Sequence, residues 1–405
     1  MIPFEEAIRI VDANTDPLEQ ETLPLIEAAG RVLAEAIAAD RDLPPFHRSE
    51  RDGWAVRSAD FRGGRADLCL LESILWAGRP PDVVVGPGEC ARIMTGAPLP
   101  EGADAVAMVE MGTAGDGRVR IDEPEMRAGL YVHPRGIDAR RGDVAVGAGT
   151  TLDPHRVVLA ASVGAAQVAV RRPVRVAYVG TGDEVIGVEE TPAPTHIREG
   201  NGPGLRALID RTPWLAASSF RRAPDDREVL TAAISAALEE ADALVMSGGV
   251  SMGRRDLVPD ALGECGVRRL FHKVAIRPGK PCWFGRTAEG KPVFALPGNP
   301  VSFQVTFREI ALRGLRRMAG FADPSGPSVR IPLAAGVERL LPLRFFLPAR
   351  LIHAGGVTAV EALDNHGSGD FVTASRGDGV IMLPDGPIRL AEGVAVDFHP
   401  WRYSW

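Results

Sequence analysis

Apolar residues recur at helical spacing over residues 4–13 and 17–39, where Ile8, Val11, Leu18, Leu23, Leu25, Ile26, Ala29, Val32, Leu33 and Ile37 supply one face. Gly30 interrupts the second segment, and Leu43-Pro44-Pro45 ends the pattern, because proline cannot continue a helix. From 44 to 140 the rhythm changes. Short apolar or alternating runs (Gly53–Arg57, Leu68–Ile74, Cys90–Met94, Ala105–Glu110, Val119–Ile121, Leu130–Val132) are separated by Gly/Pro/Asp clusters, which predicts an all-β module with tight turns. Residues 151–170 return to helical spacing, with Asp153 as the expected N-cap and Pro154 at the first helical position. Helical segments on both sides imply that the β module is inserted. Over 173–320 the runs VRVAYVG, ALVMSGG and PVFALPG each end in glycine, and helical stretches (about 201–211, 226–240 and 299–318) lie between or after them. That alternation predicts a parallel or mostly parallel α/β sheet. Residues 323–405 read as short strands. The expected architecture is therefore a multi-domain α/β plus β protein. A discontinuous helical domain spans 1–43 and 141–172, and a β domain spans 44–140. An α/β domain follows over 173–322 and a terminal β domain over 323–405.

At 405 residues the chain exceeds a single hydrophobic core, and 45% hydrophobic with 24% charged residues is ordinary for a globular protein. No apolar run approaches the roughly 18 residues of a membrane span. The first residues carry acids where a signal peptide carries a basic segment. Cys69, Cys90, Cys265 and Cys282 lie far apart with no CxxC pair, which argues against a zinc site or a disulfide framework. A cytoplasmic protein is expected. The net charge of −7 disfavours a general nucleic-acid binder. Only Lys273, Lys280 and Lys291 are lysines among the 46 basic residues, and two of them stand in one short stretch. A compact, hydrated ammonium differs from a flat guanidinium fork, so that stretch is marked for chemistry.

Four loops follow apolar runs of the α/β region: Thr181-Gly182-Asp183-Glu184, Ser247-Gly248-Gly249-Val250-Ser251-Met252-Gly253, Arg277-Pro278-Gly279-Lys280-Pro281, and Leu296-Pro297-Gly298-Asn299-Pro300-Val301-Ser302. The binding crevice of an open α/β sheet lies beyond the carboxyl ends of its strands. Glycine lets backbone approach a ligand, and successive N–H groups form an anion nest. Any one such turn is an ordinary strand-to-helix connection; four together predict an anion-binding cleft. Neither GxxxxGK[ST] nor GxGxxG after a strand is present, which disfavours NTPase and dinucleotide sites. Asp183, Glu184, Asp225, Asp226 and Asp256 fall in the same region. They are hard ligands of the kind magnesium prefers beside substrate phosphates, although Asp225-Asp226 also reads as a helix cap.

The ordered motifs LPPF…DGWAVR, MTGAPLPEGADAVAMVE, RGID, VGTGDEV, Asn201, SGGVSMGRRD, KVAIRPGKP and ALPGNPVS resemble the molybdopterin molybdenumtransferase family, that is MoeA and the gephyrin E domain. The similarity covers essentially the whole chain and weakens after 320. The SGGVSMG and LPGNPVS pair alone is also similar to the smaller, MogA-like molybdopterin adenylyltransferases. The resemblance implies an enzyme that inserts molybdate into the dithiolene of adenylylated molybdopterin and releases AMP with Mg²⁺. It implies a homodimer of four-domain subunits with sites shared between subunits and a barrel-like last domain. A molybdopterin adenylyltransferase acts upstream, and molybdoenzyme apoproteins or their chaperones receive the product.

By motif, the resemblance assigns catalytic positions to Asp52, Thr95, Asp138, Glu184, Asp225, Asp256, Lys273 and Arg277, with Glu184, Asp225 and Asp256 handling the metal and Asp226 the alternative to Asp225. Substrate-binding positions are Gly182, Asp183, Ser247, Gly248, Gly249, Ser251, Gly253, Pro278, Gly279, Lys280, Pro297, Gly298, Asn299, Pro300 and Ser302. Arg344 and Ser368 join them at molybdate. Two departures stand out. The family's FDNSAMDGYAVR is Phe46-His47-Arg48-Ser49-Glu50-Arg51-Asp52-Gly53-Trp54-Ala55-Val56-Arg57 here, and its second lysine is Arg277. Retained acids and lysines in the loops favour chemistry. The alternative is a specialised or inactive relative that serves as a dimeric scaffold or cofactor-delivery protein.

Overall fold

The protein is described by a computed structural model over residues 1–250, 257–364 and 366–401. It forms two compact units, the first comprising Met1–Glu35, Ala148–Val157 and Gln167–Trp405, the second Ala36–Gly147 and Val158–Ala166.

The first unit is organised on a six-stranded sheet of β1 (Val174–Thr181), β2 (Leu215–Ala223), β3 (Ala243–Ser247), β4 (Arg268–His272), β5 (Trp283–Arg286) and β6 (Pro292–Leu296), in the order β2-β1-β3-β6-β5-β4. The first four in that order are parallel, while β5 and β4 add antiparallel. Helices α1 (Asn201–Ile209), α2 (Arg227–Glu240) and α3 (Val258–Glu264) connect them. A further helical run comprises α4 (Pro300–Thr306), a π-helical turn Phe307–Ala311 and α5 (Leu312–Met318). Continuous apolar runs suit strands buried on both faces. Val174, Val176 and Tyr178 of β1 pack with Leu205, Ile209, Phe303 and Leu315 on one side. The alternate residues Ala177 and Val179 pack with Leu230, Ile234, Ala261 and Leu262 on the other. Full burial of such a side chain stabilises by about 1.5–3 kcal/mol.

The terminal strands Val329–Pro332, Arg344–Ala354, Val357–Ala362, Gly379–Met382 and Ala395–Pro400 build a second sheet. The Leu333–Val360 bridge, with the Ala334 N–H donating to the Val360 carbonyl, returns its far edge to the start and closes it barrel-like around Phe345, Leu347, Ile381 and Phe398. Closure removes the unpaired edges that an open sheet leaves. The second unit carries a six-stranded, mainly antiparallel sheet, with 105–108, 53–56, 89–93, 65–75, 118–122 and 112–115 as successive neighbours. Its alternating residues feed two cores, Trp54, Val56 and Leu68 in one and Ala55, Leu75 and Ile93 in the other. Among the described residues, no helix is long and apolar enough to cross a membrane.

Two expected helices are corrected. Residues 17–39 contain no helix. Gln20–Pro24 is a strand, followed by turns and isolated bridges. Pro24 stands inside the helical spacing and would clash with the preceding turn, so the segment pairs with Gln167–Arg171 instead. Over 151–170 only Pro154–Ser162 is helical, capped as expected by Asp153, which accepts the Arg156 N–H at 2.9 Å. Gly164, at φ 84°, supplies the left-handed stop after which the chain becomes that partner strand. Residues 1–43 and 141–172 thus hold two strand pairs, Gln20–Pro24 with Gln167–Arg171 and Ile37–Ala38 with Val144–Val146, and two short helices in place of the expected helical domain.

Buried Asp242 fastens the start of this sheet. It accepts from Arg172 Nη1 at 2.6 Å, Arg172 Nη2 at 3.0 Å, the Arg175 N–H at 2.9 Å and Arg175 Nη2 at 3.0 Å. Burial pushes its carboxyl up, but the hydrogen bonds from Arg172 and Arg175 outweigh that and bring it down to about 2. A lowered carboxyl stabilises the fold above the unfolded value and loses that contribution as the pH falls through the folded one. Asp242→Asn is therefore expected to cost about 2.5 kcal/mol at pH 7. Urea midpoints of the two proteins should converge between pH 5 and about 2.

Candidate functional site

The carboxyl ends of β1, β3 and β6 open onto one cavity of about 1590 Å³ in the first unit. That exceeds the roughly 300–1,000 Å³ of a drug-sized site and has room for a nucleotide-bearing ligand. Two strand ends touch through bare backbone. Gly248, at φ 95°, donates its N–H to the Leu296 carbonyl at 3.0 Å, and a Cβ on it would lie 2.5 Å from the Thr181 carbonyl oxygen. Only glycine fits there. Buried Asn201 at the start of α1 adds a side-chain link, donating to Ser247 Oγ at 2.7 Å and to the Gly298 carbonyl at 2.9 Å.

Gly182, Glu184, Asp225, Ser247, Gly248, Gly249, Arg277, Pro278, Gly279, Lys280, Pro297, Gly298, Asn299, Pro300, Ser302 and Ser368 all line this cavity. Asp225 and Asp226 separate cleanly. Asp226 caps α2 by accepting the Val229 N–H at 3.0 Å, whereas Asp225 faces the cavity and accepts from Thr181 Oγ1 at 3.1 Å. Ser368 reaches the site from the barrel. Its Oγ accepts from Asn299 Nδ2 at 2.8 Å, and its carbonyl takes the Val301 N–H at 3.1 Å. That early N–H of α4 is thereby used inside the protein. The Ser368 loop is held by Asp370, whose carboxyl is kept far below its usual range by the backbone N–H groups of His366 and Thr373.

Other expected residues fall elsewhere. Asp183 is not at the cavity wall; it accepts the Asp225 N–H at 2.9 Å and so shapes the adjoining loop. Arg344 is also outside the lining. It pairs with Asp385 at 3.0 Å and with Glu5, and its guanidinium lies 5.3 Å from the Phe4 ring centre. The third loop does not end an α/β strand. After β4 the chain turns at Lys273, φ 74°, and Ile276–Arg277 pairs with Arg344–Phe345 of the barrel. Lys273 N–H donates to the Cys282 carbonyl at 2.8 Å and Val274 N–H to that of Lys280 at 3.0 Å, which closes the loop on itself. Lys280 projects at the cavity; Lys273 is not among its lining residues. Ser251, Gly253 and Asp256 lie outside the described residues.

Asp52, Thr95 and Asp138 belong to the second unit. Asp52 Oδ1 accepts both the N–H and the Oγ1 of Thr95 at 2.7 Å, which lowers its carboxyl below the usual range. Asp138 receives His133 Nε2 at 3.1 Å, while Nδ1 of the same ring faces Glu50 at 3.4 Å.

The sequence reasoning missed Arg198, Glu199 and the 338–343 segment, all of which line the cavity. Arg198 and Glu199 adjoin Asn201, the one residue of that region singled out by motif. The 338–343 segment carries no glycine signal. Among the described residues no three His, Cys, Asp or Glu side chains gather to hold a metal. Glu184 and Asp225 nevertheless supply two hard oxygen donors on one wall, the small set that Mg²⁺ accepts when phosphates complete its shell.

Family profiles match three consecutive stretches: the MoeA N-terminal region (domain I and II) over 2–164, a probable molybdopterin binding domain over 177–317, and the MoeA C-terminal region (domain IV) over 330–401. The chain is 31% identical to the molybdopterin molybdenumtransferase of Synechocystis over 99% of its length and 100% of the relative's. It is 30% identical to that of Staphylococcus aureus, covering 98% and 94%. A solved MoeA protein from Pyrococcus horikoshii superposes at a TM-score of 0.83 with 26% identity, covering 98% of this chain and all of that one. Another, at 31% identity, gives 0.77 over the full length of both. Profiles, relatives and folds agree over a chain whose strand ends, inserted β sheet and terminal barrel occur in the order the motifs require, and on that agreement it belongs to the molybdopterin molybdenumtransferase (MoeA) family.

Proposed function

We propose that this chain is a molybdopterin molybdenumtransferase: it inserts molybdate into the dithiolene of adenylylated molybdopterin and releases AMP, completing the molybdenum cofactor. The observation that carries this reading is one cavity in which glycine-rich strand ends, the cations Arg277 and Lys280 and the carboxylates Glu184 and Asp225 converge. Both substrates are anions, so bringing them together needs positive charge and oriented N–H groups at fixed positions. Backbone around Gly248 and Gly298 lies close against the phosphate-bearing ligand. Arg277 and Lys280 neutralise charge at the oxyanion, and Ser368 adds a hydroxyl beside Asn299. Mg²⁺, when bound, neutralises charge that develops on the phosphates. Glu184 and Asp225 would hold it, with Asp256 as a third acid assigned by motif. Thr181 Oγ1 donates to Asp225 Oδ1 and fixes that carboxylate's orientation. No protein nucleophile is required, since the dithiolene sulfurs capture the metal. Burial raises Cys90 to about 12, and Cys282 is pushed up by the same cause, which keeps both as thiols.

The functional form in this reading is a homodimer in the cytoplasm. Asp52, Thr95 and Asp138, carried by the second unit, act over the partner's cavity, as the family resemblance implies. A molybdopterin adenylyltransferase supplies the substrate, and apo-molybdoenzymes or their chaperones accept the product.

Three outcomes follow. Asp225→Asn should lower Mg²⁺-dependent AMP release by about 100-fold. Asp226→Asn should cost at most about 1 kcal/mol of stability through the helix cap and leave turnover intact. Paired AMP-release assays across a Mg²⁺ series decide this; equal losses would remove the distinction between the two acids. Lys280→Gln should raise the molybdate concentration for half-maximal insertion by about tenfold, with Lys280→Arg recovering part of it. An unchanged molybdate dependence would take Lys280 away from the oxyanion. Sedimentation equilibrium should give about twice 43.1 kDa, and a fully active monomer would overturn the shared site.

A further inference from the structure

Five consecutive residues of one helical run are buried: Phe307, Arg308, Glu309, Ile310 and Ala311. They form the π-helical turn between α4 and α5, and two of them are charged. Single π turns inside α-helices are rare and recur at functional sites. Phe307, Ile310 and Ala311 enter the apolar core. Arg308 and Glu309 turn to the barrel of the same unit. Arg308 donates from Nη2 to the Pro327 carbonyl at 2.8 Å and from Nε to the Pro400 carbonyl at 3.0 Å. One guanidinium thus holds the chain entering the barrel and the end of its last strand. Nη1 of the same group donates to Glu309 Oε1 at 2.5 Å, and His399 Nδ1 lies 3.0 Å from both oxygens of that carboxylate. Burial pushes the Glu309 carboxyl up, but the Arg308 charge and the His399 hydrogen bond outweigh it and hold it below its usual range. The carboxylate therefore accepts, and Nδ1 carries the proton.

A buried charged cluster contributes little net stability, because desolvation offsets the attraction; its best-attested use is to fix register. What this one registers can be followed bond by bond. His399 pairs with Val380, and the neighbouring Gly379 stands so close that a Cβ on it would lie 2.2 Å from the His399 carbonyl oxygen. Strand Gly379–Met382 follows the short helix Phe371–Ala374, and the Gly377 N–H between them donates to the Ala374 carbonyl. Asp370 caps that helix on the Thr373 N–H and accepts the His366 N–H, each at 3.1 Å, which fixes the loop carrying Ser368. Ser368 then returns to the start of the same helical run, through Asn299 Nδ2 at 2.8 Å and the Val301 N–H at 3.1 Å. These contacts close a ring. The helical run is its base, the charged cluster is one tie, and Ser368 at the cavity is the other.

Resting on the reading that the cavity takes molybdate, we propose that Arg308, Glu309 and His399 are positioning residues, which fix the barrel on the helical run so that the Ser368 hydroxyl meets the oxyanion. None of the three lines the cavity, and none was singled out by motif.

The test measures three quantities on the full chain: the molybdate dependence of insertion with adenylylated molybdopterin and Mg²⁺, the affinity for AMP, and the urea midpoint. Arg308→Lys keeps the charge but loses the fork that holds two carbonyls. His399→Gln keeps an N–H donor with a different reach. Each should raise the molybdate concentration for half-maximal insertion by about tenfold, while the rate at saturating molybdate and the AMP affinity stay within about twofold. Leu333→Ala is the control. Leu333 is buried in the barrel core outside the ring, so this variant should lower the urea midpoint and leave the molybdate dependence unchanged. In a Ser368→Ala background His399→Gln should add less than about twofold, since both changes act through one contact. This pair decides the question by itself if Arg308→Lys is too unstable to assay. An equal rise in Leu333→Ala, a full effect of His399→Gln with the Ser368 hydroxyl already removed, or a lowered urea midpoint with unchanged molybdate dependence in the ring variants would overturn the proposal and leave the cluster as a support of the fold. A wild-type chain that binds AMP but shows no molybdate-dependent insertion would instead defeat the reading of the cavity, and this inference with it.

Discussion

One buried amide holds the cavity together. Asn201 has two N–H donors and directs them at two different strand ends, Ser247 at the end of β3 and Gly298 after β6. Neighbouring strands in a parallel sheet fix each other's direction, but not the path of the loops beyond them. That path is set here by Asn201 and by the Gly248–Leu296 contact, which leaves no room for a Cβ. A buried amide with one partner removed would lose about 1–3 kcal/mol and leave a polar group stranded. The lining residues inherit their positions from this tie. Asn299 passes it across to Ser368 of the barrel.

Much of this was legible in the chain, for reasons that can be named. The strands β1, β3 and β6 are apolar runs ending in glycine, and the loops after them are where an α/β sheet binds ligands. Gly182, Gly248 and Gly298 were therefore findable by pattern. Residues 17–39 misled because apolar spacing was weighed without Pro24, and a proline inside a helix overrides periodicity. The RPGKP loop was misassigned to the α/β sheet because Ile276–Arg277 is too short to carry its own signal and takes its register from Arg344–Phe345, far off in sequence. Glu199 and the 338–343 segment were invisible for the same reason: their place at the cavity depends on long-range packing, not on local pattern.

The charge of the cavity also differs from what composition suggested. An anion site need not be uniformly basic. Arg198, Arg277, Lys280 and Arg339 face it, but so do Glu184, Glu199, Asp225 and Glu338. The scarcity of lysine points the same way. Lys280 faces the cavity, whereas Lys273 turns the backbone in the left-handed region beside it. Two lysines in one stretch thus occupy different positions, and only geometry distinguishes them.

The departure at residues 47–51 changes side chains on a segment whose backbone is held on both sides. Arg48–Ser49 is a two-residue strand paired with Val132–His133, and on its other side Ser49 N–H donates to the Ala97 carbonyl while its own carbonyl accepts from Gly96. Those bonds depend on the main chain, so the unusual side chains leave the frame intact. The frame matters because the residue before Gly96 is Thr95, bound to Asp52, and His133 carries Asp138. Three of the altered side chains then meet residues 131–135. Glu50 faces the His133 ring, the Arg51 guanidinium lies 5.8 Å from the Tyr131 ring centre, and His47 Nδ1 accepts the Arg135 N–H at 3.2 Å. Three of the new groups, His47, Glu50 and Arg51, thus have a partner drawn from 131–135. The changes therefore fall on side chains around Asp52, Thr95 and Asp138, while the Asp52–Thr95 and His133–Asp138 contacts stand beside them.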